Sequence, residues 1–373
     1  MTERPLPTGA TSWVEIATSA LRENFAAVAG FAGAPVCAVV KANAYGHGLI
    51  ESARSFAEAG ARMLAVTRWE EAREIRSSGI SAPLLVLTPL PHDVIRDAIA
   101  LDLALCVASV SDLEPIVVAA HDAGRSARVH LKVDTGMGRL GVKASEATAV
   151  AQRIADEQSL SLEGIWTHFA SAGTPRGREQ LARFESVRSA LGKHAARAIV
   201  HAANSAATIA MPAARYDMVR VGTLLYGMNP PNARAPFPLR DAFTWYARIL
   251  SIRTVAAGES VGYGSEWRAK RATRVATIAV GYADGFGLEP AARTESWQEA
   301  AKAGARLAIV AAGVKKSVRA VRLKGVRAPV VGRISMQQST VSIGHIPDVR
   351  VGDVVEVPAR RLLVGTHIQR IYL

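Results

Sequence analysis

The stretch Ala38-Val39-Val40-Lys41-Ala42-Asn43 is the first of eight short apolar runs rich in β-branched residues. The other seven are Met63 to Thr67, Leu84 to Thr88, Ala104 to Ser109, Arg128 to Asp134, Gly164 to Phe169, Ile199 to Asn204 and Asp217 to Gly222. Nearly all the gaps carry segments of helical period. Strands that alternate with helices pair in parallel, so eight units over roughly 220 residues predict a closed (β/α)8 barrel, the TIM-barrel architecture. A doubly wound open sheet is the alternative, because periodicity alone does not show closure.

The pattern changes near residue 240, after the proline-rich segments Asn229-Pro230-Pro231-Asn232 and Pro236-Phe237-Pro238. Short alternating segments follow, separated by glycines: Ala247 to Thr254, Arg274 to Val280, Ala305 to Ala311 and Ala328 to Ile334. Such spacing is typical of antiparallel sheet. We therefore expect a barrel domain over residues 12–238 and a mostly antiparallel β domain over residues 239–373. Residues 1–11 are a candidate addition to the second domain.

Composition and charge argue against several classes of protein. The formal net charge is +13, but the basic residues are scattered and lack the interleaved aromatic side chains that stack on bases, so we expect no nucleic-acid partner. No uncharged apolar stretch approaches the roughly 20 residues that span a bilayer, so we expect no membrane association. The amino terminus lacks the apolar core of an export signal, which predicts a cytoplasmic protein.

Cys37 and Cys106 are the only cysteines, and each lies in an apolar segment. This placement is typical of buried, reduced thiols rather than of disulfides or metal ligands. We therefore expect no metal site.

Polar side chains close several of the predicted strands. Because the functional groups of such a barrel gather at the carboxyl ends of its strands, these side chains form one candidate set. Its members are Lys41 with Tyr45, Lys132 and Asp134 with Arg139 just beyond, His168, Asn204 with Ser205, and Arg220 followed by Gly222 and Thr223. Taken singly, each has an ordinary structural explanation, such as a lysine that reaches water or an arginine in an ion pair. Their joint placement predicts a functional site.

This set has the parts of a pyridoxal 5′-phosphate pocket. Desolvation of Lys41 in an apolar run would lower its pKa and make its amine a nucleophile able to form a Schiff base. The small residues Gly222 and Thr223 offer backbone amides that suit a phosphate group. A lysine, a phosphate cradle and convergent hydrogen-bonding groups together indicate pyridoxal phosphate. A sugar-phosphate aldolase would also need the lysine and the phosphate site, but it usually lacks a large second β domain.

The residues of this set carry a family resemblance. The segment Val40-Lys41-Ala42-Asn43-Ala44-Tyr45-Gly46-His47-Gly48 resembles the cofactor-lysine signature of alanine racemases. Further matches follow in order: Lys132-Val133-Asp134-Thr135-Gly136-Met137-Gly138-Arg139-Leu140-Gly141, Thr167-His168-Phe169-Ala170, Ala203-Asn204-Ser205-Ala206, Arg220-Val221-Gly222, Leu225-Tyr226-Gly227, Val261-Gly262-Tyr263-Gly264, Gly281-Tyr282-Ala283-Asp284-Gly285 and Gly332-Arg333-Ile334-Ser335-Met336. The resemblance spans nearly the whole chain, and several motifs in one order make it specific.

The resemblance implies a pyridoxal phosphate enzyme with an amino-terminal barrel, a carboxyl-terminal β domain and head-to-tail homodimers. Lys41 would hold the cofactor through a Schiff base, and Lys132 stands where family members often carry a carbamate. The implied cofactor contacts are Tyr45, Ser205, Gly222 and Thr223 at the phosphate with Asn204 beside them, Arg220 at the pyridine nitrogen, Arg139 at the phenolic oxygen, and His168 nearby. The implied substrate contacts are Arg139, Tyr282 and Met336. Tyr263 would reach in from the partner subunit.

The implied activity is racemisation of a small amino acid, with L-alanine and D-alanine as the expected pair and peptidoglycan synthesis as the use of D-alanine. Racemisation removes the Cα proton from one face and returns a proton on the other, so two bases on opposite faces are the simplest arrangement. Lys41 would serve one face and Tyr263 the other, with His168 and Arg220 as cationic support for the phenolate. A racemase of broader or different specificity and a non-catalytic pyridoxal phosphate protein are the alternatives.

Two features depart from the family pattern. Met336 is followed by Gln337-Gln338, where the family has an aspartate after the methionine. The carboxyl terminus is short, and Tyr372 matches the terminal family tyrosine rather than the tyrosine that contacts the cofactor phosphate. We therefore expect altered contacts near the substrate carboxylate and near the phosphate.

Overall fold

The computed structural model describes residues 7–194, 196–288, 301, 304–305 and 319–373, and these residues divide into two compact units. The barrel unit consists of residues 17–242 together with Tyr372 and Leu373. The sheet unit consists of the described residues up to Ile16 and those within 243–371. After its first residue, the predicted strand Ala305 to Ala311 lies outside the described residues.

Strand β1 (Ser12–Ile16) belongs to the sheet unit, and the barrel unit follows it in the chain. The barrel unit contains the strands β2 (Val36–Val39), β3 (Met63–Val66), β4 (Leu84–Val86), β5 (Leu103–Val107), β6 (Ala127–Asp134), β7 (Val142–Lys143), β8 (Leu160–Trp166), β9 (Ile199–His201) and β10 (Val219–Val221). Its helices are α1 (Thr18–Ala32), α2 (Lys41–Tyr45), α3 (Leu49–Glu58), α4 (Trp69–Ser77), α5 (Ile95–Ala100), α6 (Leu113–Asp122), α7 (Ala147–Asp156), α8 (Pro175–Leu191) and α9 (Ser205–Ala210).

Eight of these strands form a nearly closed parallel barrel in the order β10-β2-β3-β4-β5-β6-β8-β9. Hydrogen bonds from Asp217 N to Val200 O (3.1 Å) and from Arg220 N to Ala203 O (2.8 Å) link the two ends of this order. Strands β2 to β5 are buried along their whole length, as expected for a parallel sheet covered on both faces. The prediction of a (β/α)8 barrel is confirmed, and the open sheet is excluded.

The interior of the barrel contains one of the two cysteines in an apolar cluster. Its members are Cys37, Val39, Met63, Ala65, Leu85, Ala104 and Met218. Cys106 is also a buried free thiol, and burial raises the pKa of both cysteines to about 12. Thiols held in this protonated form are unreactive packing groups, as the sequence predicts.

Several barrel strands end earlier than the sequence predicts, and the difference is largest at β2. The sequence predicts extended backbone through Asn43, but β2 ends at Val39. From Ala42 to Tyr45 the φ angles are positive, between 52° and 56°. Hydrogen bonds within this turn, such as Gly46 N to Ala42 O at 3.1 Å, take the backbone out of the sheet ladder.

The sheet unit is mostly antiparallel, as predicted. Its further strands are β11 (Phe243–Val255), β12 (Ser260–Val261), β13 (Trp267–Arg268), β14 (Thr273–Ile278), β15 (Ala320–Leu323), β16 (Val326–Pro329), β17 (Ser339–Ser342), β18 (Val354–Val357) and, up to Ile371, β19 (Gln369–Tyr372). The long strand β11 pairs antiparallel with β1, β14 and β18. The strand predicted at Ala328 to Ile334 begins and ends earlier, at β16, although Val330 N still donates a hydrogen bond to Arg319 O at 2.8 Å. Within the described ranges, no helix is both long and apolar enough to cross a bilayer.

Candidate active site

The carboxyl ends of the barrel strands surround a cavity of about 410 Å³. Eight of the residues predicted from the sequence line it: Lys41, Tyr45, His168, Asn204, Ser205, Arg220, Gly222 and Thr223. Lys132 and Arg139 act on this cavity through their charges, which lower the pKa of His168. The structure therefore brings together the candidate set that the strand ends predict.

Lys41 and Tyr45 enter the cavity from the two ends of α2, a single left-handed turn. This left-handed conformation costs about 1–2 kcal/mol for each L-residue that adopts it. The turn is held by hydrogen bonds from Gly48 N to Asn43 O (3.0 Å) and from Leu49 N to Asn43 Oδ1 (2.8 Å). The strained turn thus places the amine of Lys41 and the phenol of Tyr45 in the same cavity.

Tyr45 belongs to an aromatic stack behind the cavity. Its ring lies 4.8 Å from that of Tyr226, and the ring of His47 lies 4.6 Å from Tyr226 on a tilted contact. Burial raises the pKa of Tyr45 to about 12, so its hydroxyl remains a donor. The hydroxyl of Tyr372 packs against Gly48, where a Cβ atom would overlap it. Tyr372 therefore supports the segment that follows Lys41.

Gly222 forms a cradle with two hydroxyl groups. Its amide donates to Ser205 Oγ at 3.1 Å. A Cβ atom at Gly222 would overlap the hydroxyl of Tyr45 and lie 2.7 Å from Tyr45 Cζ. The close approach requires glycine, and it places the hydroxyl groups of Tyr45 and Ser205 beside the Gly222 backbone.

Basic side chains surround the other part of the cavity. Lys132 is only 4% exposed, and its Nζ lies 3.6 Å from the centre of the Trp166 ring. Burial, more than any neighbouring charge, lowers the pKa of Lys132 to about 8. Burial and then the charge of Arg139 also lower the pKa of Lys41. The site is electropositive and holds amines that lose their protons more readily than exposed lysines.

Arg220 is held by four hydrogen bonds although it is only 3% exposed. Its Nη1 donates to His201 Nδ1 (3.0 Å) and His201 O (2.6 Å), and its Nη2 donates to Thr167 O (2.7 Å) and Ala202 O (3.2 Å). Burial lowers the pKa of Arg220 to about 10, which leaves the guanidinium protonated at neutral pH. Arg220 is therefore a fixed cation.

His168 is neutral. Burial and the nearby charges, Arg220 first among them, hold its pKa well below the usual value of 6.5. The sequence suggests His168 and Arg220 as joint cationic support for a phenolate. Of the two, only Arg220 carries a charge at neutral pH.

Sequence reasoning missed a row of buried side chains behind Arg220. His201 Nε2 lies 2.9 Å from His130 Nδ1, and His130 Nε2 lies 3.6 Å from Glu163 Oε2. Both histidines are fully buried. A histidine inside a predicted apolar strand, as at positions 130 and 201, is the signal that could have revealed them.

Sequence reasoning also missed Gln180 on α8. This buried side chain accepts from Ala170 N at 2.9 Å and donates to His168 O at 3.3 Å. Asn204 donates to Phe169 O at 3.2 Å while its Oδ1 accepts from Ala207 N. Three consecutive residues that include His168 are thus clamped from two sides. A glutamine within a helix gives no local signal of this role.

The loop that carries Arg139 is folded by Asp134. One oxygen of Asp134 accepts from Gly136 N (2.9 Å) and Met137 N (2.8 Å), and the other accepts from Gly138 N (2.9 Å). Asp134 therefore shapes the backbone that leads to Arg139.

The remaining predicted residues belong to the sheet unit and are exposed. Tyr263 is 73% exposed in a turn between Gly262 (φ 80°) and Gly264 (φ 73°). Tyr282 and Met336 are 45% and 60% exposed. Hydrogen bonds from Tyr282 N to Ser335 O (3.0 Å) and from Ala283 N to Met336 O (2.9 Å) place these two next to each other.

The groups in the barrel cavity fit pyridoxal phosphate. Lys41 supplies a largely desolvated amine, and the cradle at Gly222 supplies the hydroxyl groups of Tyr45 and Ser205, which can donate hydrogen bonds to a phosphate. Arg220 is a buried donor that cannot accept a hydrogen bond. Pyridoxal phosphate is an anionic aldehyde with a ring nitrogen, so its phosphate, its aldehyde and its ring nitrogen each have a matching group in this cavity.

The chain matches two family models, which between them cover most of its length. Residues 16–230 match the alanine racemase N-terminal domain, and residues 242–368 match the alanine racemase C-terminal domain. Alanine racemase of Symbiobacterium thermophilum is 36% identical over 94% of this chain and 88% of that protein. Alanine racemase of Desulfovibrio desulfuricans is 33% identical over 97% of this chain and 98% of that protein.

Solved structures give the same result. Alanine racemase of Clostridium difficile 630 superposes with a TM-score of 0.86 at 29% identity, over 98% of this chain and 97% of that chain. The enzyme of Streptomyces lavendulae superposes with a TM-score of 0.82 at 30% identity, over 98% of both chains. Because sequence and fold agree over nearly the full length, the chain belongs to the alanine racemase family.

Proposed function

We propose that this protein is a pyridoxal-phosphate-dependent alanine racemase that interconverts L-alanine and D-alanine. One observation carries the proposal: Lys41 and the cradle of Tyr45, Ser205 and Gly222 line the same cavity in a member of this family. The D-alanine would supply peptidoglycan synthesis, and we expect the enzyme in the cytoplasm.

Residues of the barrel unit would hold the cofactor. Lys41 would bind it through a Schiff base, while Tyr45, Ser205, Gly222 and Thr223 would hold its phosphate, with Asn204 framing them. Arg220 would donate to the pyridine nitrogen. Because the guanidinium stays protonated, it orients that nitrogen without giving it a proton. Arg139 would donate to the phenolic oxygen.

Two bases would move the proton. Pyridoxal phosphate, when bound, supplies an electron sink for the charge left at Cα. Once the substrate's amino group has displaced it from the cofactor, the Lys41 amine would take or return the proton on one face, and its lowered pKa leaves more of it in the basic form near neutral pH. Tyr263 takes or returns the proton on the opposite face. Its phenolate would be favoured by the fixed charge of Arg220, with the neutral His168 as a hydrogen-bond partner.

Tyr263 would come from a second copy of the chain. The residues proposed to meet the partner site are exposed on the sheet unit: Tyr263, Tyr282 and Met336. Such exposure of aromatic and thioether groups supports a homodimer in which Tyr282 and Met336 contact the substrate together with Arg139.

Lys132 would carry a carbamate. Its pKa of about 8 leaves a useful fraction of neutral amine, whose nitrogen attacks carbon dioxide and then loses a proton. The resulting anion would lie near Arg139 and Arg220, whose charges now lower the pKa of Lys132. Carbon-13-labelled bicarbonate should give a carbamate NMR signal that is missing from Lys132→Ala; an identical signal in the variant would refute the assignment.

The first experiment tests cofactor and chemistry together. Borohydride treatment of the purified holoenzyme should fix the cofactor to the peptide that contains Lys41. L-Alanine in deuterated water should acquire deuterium at Cα and yield D-alanine, and a panel of other L-amino acids should react more slowly. Cofactor bound at Lys41 without exchange would indicate a non-catalytic protein, and equal rates across the panel would indicate a racemase of broader specificity.

The second experiment tests the shared site. Lys41→Ala and Tyr263→Phe should each be inactive as homodimers. A mixed dimer would contain one site with both defects and one site with both native residues, so mixing the two variants should restore activity. Mixed dimers that form without any recovery would refute the placement of Tyr263 in the partner's site.

A further inference from the structure

Glu71 contacts the strained turn that follows Lys41, although it belongs to a different βα unit. It lies in the first turn of α4, and its Oε1 accepts a hydrogen bond from Ala42 N at 2.5 Å. Ala42 is the residue directly after Lys41 and the first of four consecutive residues with positive φ. The carboxylate therefore binds the turn where its unusual backbone begins.

The second oxygen of Glu71 is also used. Its Oε2 accepts from Thr67 N and Arg68 N, both at 3.3 Å, which fixes the carboxylate at the start of α4. All three partners are backbone amides, which only donate. A carboxylate satisfies them on both of its oxygens, whereas the amide of a glutamine would present N–H groups to at least one of them. The position thus selects for glutamate by hydrogen bonding as well as by size.

The turn needs such support. Four consecutive residues adopt the left-handed conformation, which is strained for L-residues. A hydrogen bond to a charged group is stronger than one between neutral groups, so the contact at Ala42 offsets part of this strain. Loss of it would free the end of the turn that carries Lys41.

The same carboxylate places a negative charge beside the Lys41 amine. Lys41 faces Arg139 from the loop after β6 and His168 from the loop after β8, and it shares the cavity with Tyr45 and Arg220. Burial and Arg139 lower the pKa of Lys41, and Glu71 opposes them. Within this basic site, Glu71 is the acid that acts on the lysine.

We propose that Glu71 is a positioning residue for Lys41: its carboxylate holds the left-handed turn in place and sets the charge beside the lysine amine. The inference rests on the proposed role of Lys41 in the racemase. It adds a residue from α4 to the machinery without placing that residue in contact with the substrate.

Three variants separate the two parts of this role. Glu71→Gln keeps the length of the side chain but removes the charge, and Glu71→Asp keeps the charge but shortens the reach to Ala42 N. The matched control is Glu70→Gln, which removes the same charge from the exposed neighbouring residue on α4. For each variant we would measure kcat, the rate at which the apoprotein takes up pyridoxal phosphate, and the pH titration of the cofactor's visible absorbance band.

Glu71→Gln should move the absorbance titration to lower pH by about 0.5–1 unit. The negative charge of Glu71 favours the protonated form of the Lys41 nitrogen in its Schiff base, and this variant removes that charge. It should also lower kcat about tenfold. Glu71→Asp should lower kcat and slow cofactor uptake with little change in the titration. Glu70→Gln should match the wild type in all three measurements.

Two results would overturn the inference: a wild-type titration and kcat in Glu71→Gln, or an equal shift in Glu70→Gln. If Glu71→Gln fails to fold, Glu71→Asp decides the positioning role through its kcat and uptake rate. The proposed function fails separately, since it requires borohydride to trap the cofactor on Lys41 of the wild type. If borohydride traps the cofactor on Lys41 but the titration of the absorbance band does not change in the Glu71 variants, only the role of Glu71 is refuted.

Discussion

Nδ1 of His201 lies 3.0 Å from Nη1 of Arg220, and this contact fixes the protons along a buried row of side chains. The guanidinium can only donate, so His201 Nδ1 accepts and His201 Nε2 carries the proton. That proton points to His130 Nδ1 at 2.9 Å, which leaves the other nitrogen of His130 protonated and directed at Glu163 Oε2, 3.6 Å away. The row therefore runs from a buried cation to a carboxylate through two neutral imidazoles.

Replacing Arg220 by lysine should destabilise the protein. A lysine ammonium keeps the charge but cannot reproduce the planar set of four hydrogen bonds to His201, Thr167 and Ala202. We expect the free energy of unfolding in urea to fall by about 2–4 kcal/mol. Arg125→Lys, at a half-exposed surface pair with Asp102, should change it by less than about 0.5 kcal/mol. Equal losses in both variants would contradict the importance of the buried set.

The buried histidines should make the protein sensitive to acid. The pKa values of His130, His168 and His201 are lowered in the folded state, first of all by burial, from a usual value of 6.5. Below about pH 6.5 the unfolded chain binds protons that the folded chain does not, so stability falls as the pH falls, by at most about 1.4 kcal/mol per pH unit for each histidine.

This acid sensitivity can be measured as the unfolding free energy between pH 7 and pH 5.5. The exposed residue His121 provides the control, since His121→Gln should leave the slope unchanged. His201→Gln should reduce the slope even though it also lowers the stability at pH 7. A stability that is constant or rises on acidification would show that these histidines are protonated in the folded state.

Gly222→Ala should weaken cofactor binding. The added Cβ atom would overlap the hydroxyl of Tyr45, so the phosphate cradle has to open. We expect the dissociation constant of pyridoxal phosphate to rise about 10- to 100-fold, measured by fluorescence titration of the apoprotein. Gly30→Ala is the control: its Cβ would meet open space in α1, and it should stabilise the protein by about 0.5–1 kcal/mol. Unchanged cofactor affinity in Gly222→Ala would refute the cradle.

Changes at Gln180 should act on His168. Gln180→Met keeps the size but leaves Ala170 N and His168 O without their partner, so we expect kcat to fall about tenfold. Gln180→Glu tests the hydrogen bond to His168 O separately from the hydrogen bond to Ala170 N. Its carboxylate can accept from Ala170 N, but it can donate to His168 O only when protonated.

The activity of Gln180→Glu relative to the wild type should therefore rise as the pH falls. Gln180→Met provides the reference, because its relative activity should not depend on pH. A pH-independent ratio for both variants, with equal thermal midpoints, would show that Gln180 contributes packing alone.

Much of this protein can be read from short stretches of its sequence. The eight apolar runs predict the eight barrel strands, because a strand buried on both faces needs a continuous apolar segment. The polar residues that close those runs predict most of the cavity lining, since parallel strands bring their carboxyl ends to one edge. The motif around Lys41 likewise predicts the family.

Other features depend on which elements become neighbours in the tertiary structure. The backbone after Lys41 leaves the strand early, because its hydrogen bonds close a left-handed turn that Glu71 holds from α4. Gln180 and His201 likewise gain their roles from partners on other elements. Apolar periodicity is a local property and is written in the sequence. The choice of a hydrogen-bond partner across the barrel is not local, so only the folded chain determined which side chains position Lys41, His168 and Arg220.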